Sequence, residues 1–190
     1  MVTERDVSAK ALRAMLVRRE ACYEAIAWAK GKSLRAAWDG CKRADWMLWL
    51  AAKLLPRKSV VRAACACART ALRYVPAGED RPRVAIETAE RWTRGEATIA
   101  EVRSAAHAAS VSAYAASVSA YAAYASAVSV SVSVSVSAYA ADATAYAADA
   151  TGSRAKALSK MAKLVRKQIT ADHMVKAALL RARTRKREEP

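Results

Sequence analysis

Between Ser104 and Ala141 the chain carries no Lys, Arg, Asp or Glu, and this stretch opens an internal repeat that constrains the fold more than any other feature. AHAASVS (106–112), AYAASVS (113–119), AYAAYAS (120–126) and AVSVSVS (127–133) are successive heptads. VSVS (134–137) intervenes, and two identical copies of AYAADAT (138–144 and 145–151) follow. A repeat of this kind decides architecture before local propensity does. Taken alone, Val128–Ser137 alternates Val and Ser as a strand does. As helix, the same residues cost on the order of 5 kcal/mol relative to alanine, at about 0.5 kcal/mol each.

Phase argues for the helix. Tyr121 and Tyr139 lie about five turns apart at 3.6 residues per turn, and a seven-residue step drifts only about 20° on a straight helix. His107, Tyr114, Tyr121, Tyr139 and Tyr146 therefore share a narrow stripe if the helix runs unbroken from Thr98 to Thr151, roughly 80 Å. Such a helix has no charged face and is expected to pack against neighbours.

The stretch is long enough to cross a bilayer, but it holds no Leu, Ile or Phe, and every second or third residue is Ser or Ala. A span needs roughly 20 predominantly apolar residues, so no membrane segment is expected. The N-terminal TERDVSAK (3–10) does not resemble a secretory leader. A cytoplasmic location is expected, with Cys22, Cys41, Cys65 and Cys67 as free thiols.

On either side of the tract, the order of caps and breakers predicts helices. Thr3 and Asp6 resemble a capping box opening a helix through Met15–Glu20. The next helix or its continuation covers 21–30 and stops at Gly31. A short turn of helix follows over 33–40, then a helix from Lys42 to Leu55 that Pro56 ends. Ser59 is read as the next cap, with Val61, Ala64, Cys65, Ala68, Leu72 and Val75 on one buried face. PAGEDRP (76–82) is the clearest loop. Pro82 starts a helix through Trp92, Gly95 ends it, and Thr98 with Glu101 forms the next capping box. Beyond Gly152, one final helix runs to about Arg183, with Leu158, Met161, Ala162, Val165 and Ile169 as its apolar stripe.

With 54% apolar residues, 5 Gly and 4 Pro, the chain reads as all-α: a multi-helix bundle in which one long Ala/Ser/Val-rich helix packs against a basic C-terminal helix. Three regions are expected: a helical body over 1–97, the repeat helix over 98–152, and the basic C-terminal helix with a frayed tail over 153–190.

Net charge is +16, and it is concentrated at the two ends. Residues 153–190 hold 12 Lys/Arg against 3 Asp/Glu, while 106–152 hold none against 2. A field of this sign attracts acidic partners. Lys156, Lys160, Lys163 and Lys167 form a basic stripe, and Arg181, Arg183, Arg185, Lys186 and Arg187 continue it into the tail. Nucleic-acid backbone is one ligand for such a stripe.

No catalytic constellation emerges. Cys65 and Cys67 point about 200° apart on a helix, unlike a zinc pair, and read as buried small residues. His107 occupies a tyrosine position of the repeat, and His173 follows Asp172. Glu87 and Glu90 alternate with Arg83, Arg91 and Arg94 as solvated ion pairs. There is no phosphate loop, HExxH or CxxC motif. Neither an enzyme nor a cofactor or metal is expected. Asp45-Trp46-Met47-Leu48-Trp49-Leu50 is the most unusual segment. Its indoles suit core packing or a partner-binding hot spot.

Three runs together carry a resemblance: Cys41-Lys-Arg-Ala-Asp45-Trp46-Met-Leu-Trp49-Leu50; Ala64-Cys65-Ala-Cys67-Ala-Arg69; and Arg81-Pro82-Arg83-Val-Ala-Ile86-Glu87 through Glu90-Arg-Trp92 to Gly95 and Thr98. Followed by an Ala/Tyr-rich tract, they resemble a bacterial family of putative immunity proteins of polymorphic toxin systems. The resemblance covers about residues 20 to 170. It implies a helical protein that neutralises a cognate toxin by binding it, without catalysis. On this reading Asp45, Trp46, Trp49, Arg81, Arg83 and Trp92 are the candidate partner-binding residues, and the partner is a protein with an acidic face. Two alternatives accompany it: a nucleic-acid-binding protein using the C-terminal stripe and tail, and a homo-oligomer assembled through the small-residue helix.

Overall fold

A computed structural model describes residues 6–75, 77–116 and 154–188 of the chain. Among the described residues it is all helix, with nine α-helices and one 3-10 segment: α1 (Ala9–Arg18), α2 (Tyr23–Trp28), α3 (Leu34–Gly40), α4 (Ala44–Leu54), α5 (Arg57–Ala68) continued by a 3-10 turn (Arg69–Tyr74), α6 (Arg81–Arg94), α7 (Ile99–Ala116), α8 (Arg154–Gln168) and α9 (Ala171–Glu188). The all-α expectation holds. The chain divides into two compact units, one formed by Met1–Cys41 with Ile169–Pro190, the other by Lys42–Gln168.

In the larger unit α5 is the central element, packing on α4, α6 and α8. Its sequence explains how one helix can touch three others. Val60, Val61, Ala63, Ala64, Cys65, Cys67 and Ala68 are all buried, and small side chains on nearly every face allow close interaxial approach. On the α6 side, Val61, Cys65 and Ala68 meet Ala85, Ile86 and Ala89, with Val102, Ala106 and Ala109 of α7 closing the cluster. On the other side, α4 and α8 bury Met47, Leu48, Leu158, Met161 and Val165. Full burial of each Leu, Met or Val contributes about 1.5–3 kcal/mol.

The caps that end these helices are mostly those the residues announce. Gly95 ends α6 at φ +85°, the left-handed conformation that lacks a penalty only for glycine. Thr98 and Glu101 form a reciprocal capping box: the Thr98 N–H donates to Glu101 Oε2 at 2.7 Å, and the Glu101 N–H donates to Thr98 Oγ1 at 3.2 Å. Ser59 is not a cap. Pro56 occupies that position, and α5 starts at Arg57, because a proline with extended ψ already supplies the helix entry.

The smaller unit joins α1, α2 and α3 to α9, with α9 packed on α3. Its first helix is capped by Ser8, which accepts from the Ala11 N–H at 3.3 Å, rather than by Thr3 and Asp6. Asp6 instead accepts from the backbone N–H of Val7 and of Arg35, tying the N-terminal segment to the start of α3; Thr3 lies outside the described residues. Segment 21–30 is a separate helix and not a continuation, since Glu20 adopts φ +57° between α1 and α2.

The final helix is also two helices. Thr170 caps α9: the His173 N–H reaches Thr170 Oγ1 at 3.4 Å, and the Thr170 N–H reaches His173 Nδ1 at 3.3 Å. The imidazole takes the place a Glu side chain has in an ordinary capping box.

Of the repeat tract, 99–116 is helical, and its neighbour there is α6. The buried line along α7 is Val102, Ala106 and Ala109. His107, the first member of the aromatic stripe, is exposed. The remainder of the tract, including the Val/Ser block 128–137 and the expected continuation of one helix to Thr151, lies outside the described residues.

Candidate functional site

The segment singled out for its tryptophans is α4. Asp45 sits in its first turn, where the helix dipole favours a carboxylate, and it is buried. Arg43, just before the helix, holds it with two groups: Nε lies 2.9 Å from Oδ1 and an Nη 2.5 Å from Oδ2. The same guanidinium lies over the Trp46 ring, 4.4 Å from the centroid. A planar cation can serve both partners at once, its edge on a carboxylate and its face on an indole, which lysine cannot do. One turn on, Lys53 lies 5.6 Å over Trp49. Both indoles are half-buried.

Arg81, Arg83 and Trp92 occupy α6. The two arginines are exposed but each is already paired. Arg81 donates to Glu79, and Arg83 is bound to Asp80 at 2.9 Å and Glu87 at 3.2 Å. Those carboxylates hold both guanidiniums above the ordinary arginine value, chiefly through hydrogen bonding. Trp92 packs against the α5–α6–α7 core with Lys58 5.8 Å over its ring. The six candidate residues thus divide between α4 and α6, which each pack on α5. Glu90, expected to pair along its own helix, instead takes a bidentate bond from Arg69 across to the neighbouring segment, at 2.8 and 2.6 Å.

The basic stripe falls on α8. Lys156, Lys160, Lys163 and Lys167 are all exposed, while Leu158, Met161, Ala162 and Val165 on the opposite side are buried. No carboxylate lies within ion-pairing distance of these four lysines among the described residues. Arg181 and Arg183 are exposed on α9, and the side chains of Arg185, Lys186 and Arg187 lie outside the described residues.

Residues of catalytic type are placed for packing. Cys65 and Cys67 are fully buried. Burial pushes the Cys67 thiol up to about 12 and the Cys65 thiol higher still, with Glu90 adding to the latter. A thiol so placed is a poor nucleophile. Among the described residues no group of three or more His, Cys, Asp or Glu is placed to hold a metal ion, and no helix is long and apolar enough to cross a membrane.

The arrangement missed from the sequence is the covering of tryptophans by cations. Trp28, Trp46, Trp49 and Trp92 each have a Lys or Arg over the ring. The spacings Trp28/Lys32 and Trp49/Lys53, four apart on or beside one helix, were a visible signal for two of them. The fifth, Trp38, is buried and donates its indole N–H to the Ile169 carbonyl at 2.9 Å.

Among the described residues the chain is all helix, with Cys41, Cys65 and Cys67 buried and the α8 lysines exposed. The chain belongs to the Imm-5 like putative immunity protein family, whose model matches residues 51–176. Membership suggests a toxin-neutralising role and a protein partner such as a toxin, in a family generally without catalysis. No curated protein matches the chain. No solved structure matches it either.

Proposed function

We propose that the protein neutralises a cognate toxin by direct, non-catalytic binding, and that the exposed lysine face of α8 meets an acidic surface on that toxin. The observation that carries this reading is the set Lys156, Lys160, Lys163 and Lys167, exposed and without carboxylate partners among the described residues. Among the candidate residues within the family-matched segment, Arg81 and Arg83 carry their own carboxylates, so their charge is already compensated. The α8 lysines are the charge left over for a partner. An acidic toxin face would be steered toward them, and rim charges of this kind act mainly on association rate. Trp92 and the α4 indoles Trp46 and Trp49 supply the aromatic area that hot spots favour, each already held in place by its covering cation.

Co-expression with candidate toxins, chosen from the reading frames that flank the gene, tests the reading. Lys160→Glu combined with Lys163→Glu should abolish protection and slow association by about tenfold or more at low salt, with helix content unchanged. Full protection by the double variant would remove α8 from the interface. Failure of the wild-type protein to form a complex with the toxin would end the direct-binding reading.

A further inference from the structure

α4 and α8 pack on each other inside the larger unit, and one contact shows how each is turned. The Arg166 guanidinium donates to the Met47 thioether, Nη1 to Sδ, at 3.7 Å. Successive residues step about 100° around a helix, so the neighbours of this contact mark its solvent side. Beside Met47, Leu48 is buried and Trp46 half-buried, with half-buried Trp49 one turn beyond. Beside Arg166, Val165 is buried and Lys167 exposed, with exposed Lys163 one turn back. The solvent side of the junction thus carries an indole pair from α4 and a lysine line from α8. Its charge has one sign. α8 holds six Lys or Arg and no Asp or Glu. The one carboxylate of α4, Asp45, is buried and taken by Arg43.

We propose that this face seats an acidic amphipathic helix of the partner, its apolar side on Trp46 and Trp49 and its carboxylates along the α8 lysines. Such a segment presupposes the direct binding proposed above and specifies what the partner must present. Lys156, Lys160, Lys163 and Lys167 are spaced by four, three and four residues, a straight line of roughly 16 Å whose step is close to one helical turn of about 5.4 Å. A second helix laid along that line repeats acids at the same step and meets every lysine. An extended strand repeats on one side about every 6.6 Å and falls roughly 3 Å out of step over the same length. Two indoles one turn apart give the matching periodic footing for apolar anchors. Nucleic acid fits less well, because its bases need open aromatic faces to stack on, and Arg43 and Lys53 already lie over Trp46 and Trp49. A second copy of this chain, at net charge +16, is repelled.

Fluorescence anisotropy of the full chain with a labelled peptide of about 18 residues, long enough to hold a helix, tests the proposal. The peptide carries Glu at i, i+4, i+7 and i+11 beside a Leu stripe, and a shuffled peptide of the same composition lacks that pattern. The patterned peptide should bind about tenfold tighter than the shuffled one. Lys160→Glu with Lys163→Glu should weaken its binding by about tenfold or more. Arg62→Glu with Lys176→Glu, an equal charge change at exposed positions elsewhere, should leave it within about twofold. Trp46→Ala should cost about tenfold, and Trp46→Phe should recover most of it, which separates lost contact from lost fold. No binding of the patterned peptide, equal binding of the shuffled one, or indifference to Trp46→Ala overturns the proposal. So does tighter binding of a DNA duplex that follows the same lysines. In co-expression, protection that needs Lys160 and Lys163 but survives Trp46→Ala also overturns it, while direct toxin binding stands.

Discussion

Cys65 and Cys67, two positions apart on α5, face two different helices: one Sγ lies 4.0 Å from the Ile86 carbonyl of α6, the other 3.9 Å from the Met161 carbonyl of α8. The 100° step of the helix turns a C-x-C spacing into a pair of opposed contacts.

Thiol chemistry should therefore distinguish the four cysteines. Cys22 is exposed and Cys41, Cys65 and Cys67 are buried. A thiol reagent at neutral pH should label one site quickly in the folded protein and four in denaturant. Rapid labelling of Cys65 or Cys67 in the folded state would contradict the packing of α5.

The buried thiols also predict alkaline destabilisation. The Cys67 thiol ionises at about 12 in the folded protein against an ordinary 9.0, so above pH 9 the unfolded chain loses protons that the folded chain keeps. Stability is intact below the ordinary value and falls as pH rises toward the folded one. Cys67→Ala should show a shallower loss of melting temperature between about pH 9 and 11 than wild type.

Trp38 should matter through its nitrogen as well as its ring. Trp38→Phe retains most of the aromatic area but leaves the Ile169 carbonyl without the donor at 2.9 Å. A cost of about 1–3 kcal/mol in urea unfolding is expected. Trp38→Ala should cost more, about 3–5 kcal/mol, because a buried ring is removed as well.

At the start of α7, Thr98→Ala should lower stability by about 1 kcal/mol, read by thermal unfolding. The Glu101 carboxyl is held below its ordinary range by the Thr98 backbone N–H and then the Thr98 hydroxyl. That contribution is present above the ordinary carboxylate value and lost as pH falls through the folded one. Glu101→Gln keeps an acceptor and should flatten this part of the acid limb.

Removing Arg43 should cost more than an exposed ion pair would. Arg43→Ala strips the buried Asp45 of two charge-assisted bonds and uncovers Trp46. About 1.5–3 kcal/mol is expected, and Arg43→Lys should recover little of it, because an ammonium cannot serve carboxylate edge and indole face together.

Local chemistry was legible wherever it is written in adjacent residues. Gly95, the Thr98–Glu101 box, Ser33 at α3 and the Val61, Ala64, Cys65, Ala68 line on α5 all read directly from the sequence. The break between α8 and α9 was not, because the Thr170 box is completed by a histidine where the recognised pattern has Glu or Gln. Nor was the role of Asp6, whose partner Arg35 is 29 positions away. The Arg83–Glu87 pair was legible at four positions apart on one helix, whereas a loop's fold decides whether Glu79 and Asp80 curl back onto Arg81 and Arg83. The lysine line of α8 was legible, since four positions at helical spacing need no long-range information.

The unit assembled from both chain ends also sets a schedule for synthesis. Trp38 and its acceptor are 131 positions apart, so at about 5–20 residues per second α3 leaves the ribosome roughly 7–26 s before the segment that covers it. During that interval a large indole surface waits without its mate. The nascent chain is then most open to proteases, chaperones and neighbouring copies of itself.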